Sequence, residues 1–279
     1  MLNTKQIIVV VFIVVLMGVL LARPIKGLVD GEKETTGSTS SNSTESMYNL
    51  KYVSDIAKQS INASLVQDIA AIEAKVEEAE GEEKVTLLQE LANKWDDVAK
   101  DAPQGFVYAE MAEITPKFDY WLKAGDSYRA AYTNLQDTTM ASALNQRAIQ
   151  SYEKALELDA NNLSAKTGLG AALVTGSNNP MAGIALLQEV VKAEPKNIEA
   201  NKTLGLFSLQ SQQYDKAIER FKTVVELKPD AESYFYLATG YEKIGLRTEA
   251  ISAFQKSKAM AADPTLSQYI DRQIEALSK

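Results

Sequence analysis

The sequence predicts an all-α chain: an N-terminal transmembrane helix, a helical hairpin, and a solenoid of stacked helix pairs closed by a C-terminal cap helix. Three observations carry this. Residues 7–22 are apolar or small without interruption. Two stripes of apolar residues at helical spacing follow between residues 61 and 98. From residue 118 to 262 the chain repeats itself with a period near 34, the mark of a stacked repeat array.

Ile7 to Ala22 contains no charge and is framed by Lys5 and Arg23. At 1.5 Å per residue the run spans about 24 Å, a little less than a hydrocarbon core. Arg23 and Lys26 can carry their charges to the headgroups on long stems, so a span reaching Leu28 is also compatible. A cleaved signal peptide is the competing interpretation. Its apolar core is usually shorter, and Leu-Ala-Arg-Pro-Ile-Lys is no small-x-small cleavage site, so residues 1–28 are expected to be an uncleaved single-pass anchor. Lys5 on one side faces Arg23 and Lys26 on the other, which nearly balances the positive-inside rule. The short N-terminal tail is the easier side to keep inside, so the soluble part is expected outside the cytoplasm. Residues 29–47, mostly Gly, Ser, Thr, Asn and Glu, have almost nothing apolar to bury and read as a flexible tether.

Residues 48–117 are the acidic part of the chain. Between 47 and 115 there are 14 acidic and 6 basic side chains, so this stretch accounts for the whole net charge of −8. Ile61, Leu65, Ile69, Ile72, Val76 and Ala79 fall on one helical stripe, and Leu88, Leu91, Trp95 and Val98 on a second. Gly81 separates them and Pro103 follows, which suggests an antiparallel αα-hairpin with a short capping helix around Phe106 to Ile114. A coiled-coil dimer built on the same stripes is the alternative.

The repeats are most regular around Leu204-Gly205, followed by Ala217, Phe221 and Pro229. One period later stand Leu237-Ala238, Tyr241, Ala250 and Phe254; one earlier, Leu169-Gly170, Leu187, Val190 and Pro195. Earlier still, Trp121, Ala124-Gly125, Tyr128, Ala148, Tyr152 and Ala155 keep the same order. These residues resemble the tetratricopeptide repeat family over 118–262, about half the chain. Small residues at Gly125, Gly170, Gly205 and Ala238 allow two helices to approach closely, and Tyr152, Leu187, Phe221 and Phe254 are expected to fill the space between one unit and the next. The first unit departs from the family by 11 extra residues between Tyr128 and Ala148. That is close to three helical turns, so a protruding helical arm is expected, turning near Gln136 to Thr139. Asp263-Pro264 has the form of an N-cap, and residues 263–279 are expected to be an amphipathic cap helix with Leu266, Tyr269, Ile270, Ile274 and Leu277 on one face.

The resemblance implies a concave groove, lined by the first helix of each unit, that holds a protein or peptide partner. The groove positions are Leu122, Asp126 and Arg129; Thr167, Ala171 and Val174; Lys202, Leu206 and Leu209; and Phe235, Thr239 and Glu242. Their apolar bias favours an amphipathic helix or an extended apolar segment as the occupant. Family members that clamp a terminal carboxylate use Lys and Asn where this chain has Leu122 and Asp126, so no such clamp is implied. Composition points away from other classes. There is no histidine and no cysteine, which removes the commonest proton-transfer group, thiolate chemistry and the usual soft metal ligands. Gly168-Leu169-Gly170 lacks the preceding strand and third glycine of a nucleotide loop, and no cofactor is expected. The acidic balance disfavours a nucleic-acid partner. The expected role is a membrane-tethered scaffold, not an enzyme; a homo-oligomeric envelope protein self-associating through the acidic hairpin is the alternative.

Overall fold

The structure, a computed structural model, describes residues 48–135 and 137–279. Among the described residues every regular element is an α-helix, and none is long and apolar enough to cross a membrane. The span expected at residues 7–22 and the tether at 29–47 lie outside the described residues. Four helices precede the repeats: α1 (Leu50–Lys58), α2 (Ala63–Glu78), α3 (Gly81–Asp97) and α4 (Asp101–Ile114). The four units follow as helix pairs. They are α5 (Phe118–Asn134) with α6 (Thr138–Leu158), α7 (Leu163–Gly176) with α8 (Pro180–Ala193), α9 (Ile198–Gln210) with α10 (Tyr214–Leu227), and α11 (Ala231–Lys243) with α12 (Arg247–Met260). Helix α13 (Pro264–Ser278) closes the C-terminal end.

The caps recur with the repeat. Asn162, Asn197, Asp230 and Asp263 each accept a backbone N–H from the first turn of α7, α9, α11 and α13, at 2.7 to 3.1 Å. Each cap satisfies a donor that the helix itself cannot, and so fixes where every second helix of the array begins. Asn179 does the same for α8, with Pro180 at its first position.

In the first three units the small residue of the first helix meets the large residue of its own unit. A Cβ placed on Gly125 would lie 2.7 Å from the Tyr152 ring, one on Gly170 2.7 Å from Leu187 Cγ, and one on Gly205 2.8 Å from the Phe221 ring. The large side chains therefore lock the pair they belong to. Tyr152 and Phe221 also reach the next unit, as expected: Tyr152 lies against Gly168, and the Phe221 ring centroid is 5.3 Å from that of Tyr236.

One expectation is corrected by the packing. The first pair is the longest, with helices of 17 and 21 residues that turn between Asn134 and Thr138, but it does not protrude. Ala131, Met140, Ala143 and Leu144 are buried in one core with Tyr48, Val53 and Ala57. An elongated pair presents extra apolar surface, and the N-terminal helices cover it. Helix α3 packs more extensively on α4 than on α2, and α4 lies along α5 as α6 lies along α7. Helices α3 and α4 thus continue the stack by one further pair. Ile69, Ile72, Val76, Leu88, Leu91 and Trp95 are all buried within this chain, so the seam that a coiled-coil dimer would need is already filled.

The turn inside the third unit holds a correctable strain. Gln212 has φ +59°, and Gly245, at the same place in the fourth unit, has φ +79°. A side chain in this left-handed region costs roughly 1 kcal/mol, which glycine avoids. Gln212→Gly is expected to stabilise the protein by up to about 1 kcal/mol, read as a higher midpoint in urea. An unchanged midpoint would show that the greater freedom of glycine in the unfolded chain cancels the relief of strain.

Candidate functional site

The first helices of neighbouring units touch one another, α5 with α7, α7 with α9 and α9 with α11, and no comparable approach joins successive second helices among the described residues. The stack therefore curves with its first helices on the inside. On this inner face Asp126 is exposed, while Leu122, Arg129, Val174, Lys202, Leu206, Leu209, Phe235, Thr239 and Glu242 are half-buried. Thr167 and Ala171 are different, at 7% and 2% exposure. The Thr167 hydroxyl donates to the Leu163 carbonyl at 2.7 Å. These two are packing residues, so α7 brings only Val174 to the groove. Phe235 has a structural duty as well: its ring centroid lies 5.7 Å from that of Phe254 and 5.8 Å from that of Tyr269, which ties the cap helix to the last unit.

A line of polar contacts runs across the same face. The Tyr152 hydroxyl passes between Gly125 and Gly168 and donates to Asp126 Oδ1 at 2.6 Å. Arg129 Nη1 donates to Glu199 Oε1 at 2.9 Å, joining the first helix of unit one to the first helix of unit three. Lys202 Nζ meets Glu232 Oε2 at 2.6 Å, joining unit three to unit four. Each pair is partly open to water and contributes at most about 1 kcal/mol. Their geometric role is larger, since they hold neighbouring first helices at fixed separations. Burial pushes the Asp126 carboxyl above the usual range, while the Tyr152 hydrogen bond and the Arg129 charge pull it down. Asp126 is thus open to solvent yet ringed by protein, as a carboxylate in a concave surface should be.

Glu199 and Glu232 were absent from the sequence-derived positions. Each stands three residues before one that was included, Lys202 and Phe235, and so shares its helix face; that spacing was the available signal. Among the described residues there is no cluster of three or more side chains able to hold a metal ion.

Curved stacks of short helix pairs, with a glycine notch in the first helix and an aromatic or leucine in the second, define a helical-repeat protein. Over part of the array the repeats are similar to tetratricopeptide repeats. Residues 130–235 match the family model described as the cytochrome c-type biogenesis protein H TPR domain. The chain is similar to anaphase-promoting complex subunit 3 of Dictyostelium discoideum, with 29% identity over 125 residues, covering 44% of this chain and 13% of that protein. It is also similar to superkiller protein 3 of Schizosaccharomyces pombe, with 22% identity over 162 residues, covering 55% of this chain and 12% of that protein. The chain therefore spans about an eighth of the length of these relatives. Among solved structures, the MamA RS-1 ArsTM double mutant aligns with a TM-score of 0.50 and 20% identity, covering 69% of this chain and 97% of that one. That likeness concerns the fold alone.

Proposed function

We propose that this protein is a membrane-tethered scaffold that holds a segment of a partner protein against the inner face of its first helices. The observation that carries this is the surface left over by packing. The helix pairs bury their small and large residues against each other, while Leu206, Leu209, Lys202 and Asp126 stay at least partly open on one curved face. A face of that composition suits an amphipathic helix or an extended apolar segment. The biogenesis name of the family matching residues 130–235 supports an assembly role over catalysis. The tether is residues 7–22, with the repeats on the outer side of the membrane.

The test is crosslinking in native membranes followed by mass spectrometry, comparing the full chain with a Leu206→Glu, Leu209→Glu variant. Phe235 is left intact because it holds the cap helix. The variant is expected to lose at least one crosslinked partner at unchanged helicity. A partner set identical to wild type would remove the groove assignment. Resistance of the chain to alkaline extraction, and digestion of the repeats by protease added from outside, test the tether and its orientation.

A further inference from the structure

We infer that Asp126 is the charge anchor of the inner face and takes a basic side chain, Lys or Arg, from the bound polypeptide segment. This rests on the groove reading above and adds the chemistry of the occupant. Three observations converge on it.

The first is rigidity. Tyr152 is buried, with its ring wedged between two glycines of successive first helices. A Cβ on Gly125 would lie 2.7 Å from it and one on Gly168 2.3 Å. From that slot its hydroxyl donates to Asp126 Oδ1 at 2.6 Å. An acceptor on the binding face is therefore held in place by a side chain from the opposite helix of the pair, and its orientation is settled before any partner arrives.

The second is charge. Arg129 is the cation on the same helix face, but it is committed to Glu199 at 2.9 Å. Asp126 makes no ion pair among the described residues. Asp126, Arg129 and Glu199 together carry one net negative charge, and Asp126 is the carboxylate of the two that Arg129 does not hydrogen-bond. Further along the face Lys202 is matched by Glu232, and Glu242 adds another carboxylate. A cationic side chain complements this surface, and an anionic one does not.

The third is cost. Burial opposes the ionisation of Asp126, and the Tyr152 hydrogen bond and the charge of Arg129, itself turned to Glu199, offset that only in part, which favours a neutral isostere in the free protein. A group kept at such a cost is accounted for by what it binds. An incoming Lys or Arg supplies the missing countercharge, and the half-exposed Leu206 and Leu209 further along would take its apolar neighbours.

The experiment displays a library of random segments of about 15 residues and selects it on the purified full chain in detergent micelles. The recovered pool is expected to be enriched in Lys and Arg. In a recovered peptide, replacing the basic residue by Gln is expected to weaken binding about tenfold, the effect of one well-made charge contact. On Asp126→Asn the same replacement should matter less than about twofold, while the melting temperature of that variant stays at or above that of wild type. Asp126→Lys should shift the recovered pool towards Asp and Glu. If Asp126→Asn recovers the same basic-rich pool as wild type, the anchor assignment fails. If the pool shows no charge preference but is lost with Leu206→Glu, Leu209→Glu, the groove stands and the anchor falls. If that double variant recovers the wild-type pool, or nothing is recovered on any form, both assignments fall.

Discussion

Gly168→Ala is expected to destabilise the protein by about 2 kcal/mol, although alanine is ordinarily the better helix former. Glycine in a helix interior concedes roughly 1 kcal/mol to alanine, so the substitution starts with a gain. Against it stands a methyl group that would lie 2.3 Å from Tyr152 Cζ. The ring has little room to retreat, because Gly125 also packs tightly against it and Asp126 holds its hydroxyl. Overpacking of this kind costs up to about 3 kcal/mol, which outweighs the propensity gain. The double substitution Gly168→Ala, Tyr152→Leu removes the clash, so its loss should fall short of the sum of the single losses by about 1 kcal/mol or more. Urea unfolding of the four forms measures this. If Gly168→Ala alone is as stable as wild type, the notch is looser than its geometry indicates, and the rigid placement of Asp126 goes with it.

What could be read from the sequence was what local sterics encode. Gly125, Gly170 and Gly205 were legible because a small residue one helix away from Tyr152, Leu187 or Phe221 has one packing solution. Asp263-Pro264 was legible because a cap is decided within four residues. The inner face was only partly legible, because it depends on curvature, a property of several units together. No spacing rule pairs Arg129 with Glu199, 70 residues later; they meet because the stack bends around α7. The same bend buries Thr167 and Ala171, whose repeat positions alone would place them in the open. The expected arm failed for a related reason. Its length was countable, but what covers Met140 and Leu144 is a tertiary fact, since Tyr48, Val53 and Ala57, which share their core, stand more than 80 residues earlier in the chain.

Trp95→Ala is expected to cost about 3–5 kcal/mol, the range for emptying a fully buried aromatic site. Trp95 has 0% exposure and lies in a core that runs from Tyr48 to Ala172 without a break. That core is distinct from the cluster between Ala217 and Ile270. In a stacked array each unit communicates chiefly with its neighbours, so the loss should be unevenly felt. Hydrogen exchange is expected to accelerate through α2, α3 and α4 and on into α5 and α6, and to stay unchanged in α10 to α13. The coupling into α6 has a specific carrier. Arg147 of α6 sets its guanidinium 4.6 Å from the centre of the Phe106 ring and donates to the Tyr48 carbonyl at 3.2 Å. Loosening the N-terminal helices therefore removes contacts from the first unit itself. Were these helices only a detachable lid, exchange would accelerate in α2 to α4 and stop at Ile114. Faster exchange reaching Leu158 would instead mean that the first unit, with Tyr152 and Asp126 on it, stays folded only while the acidic helices remain docked.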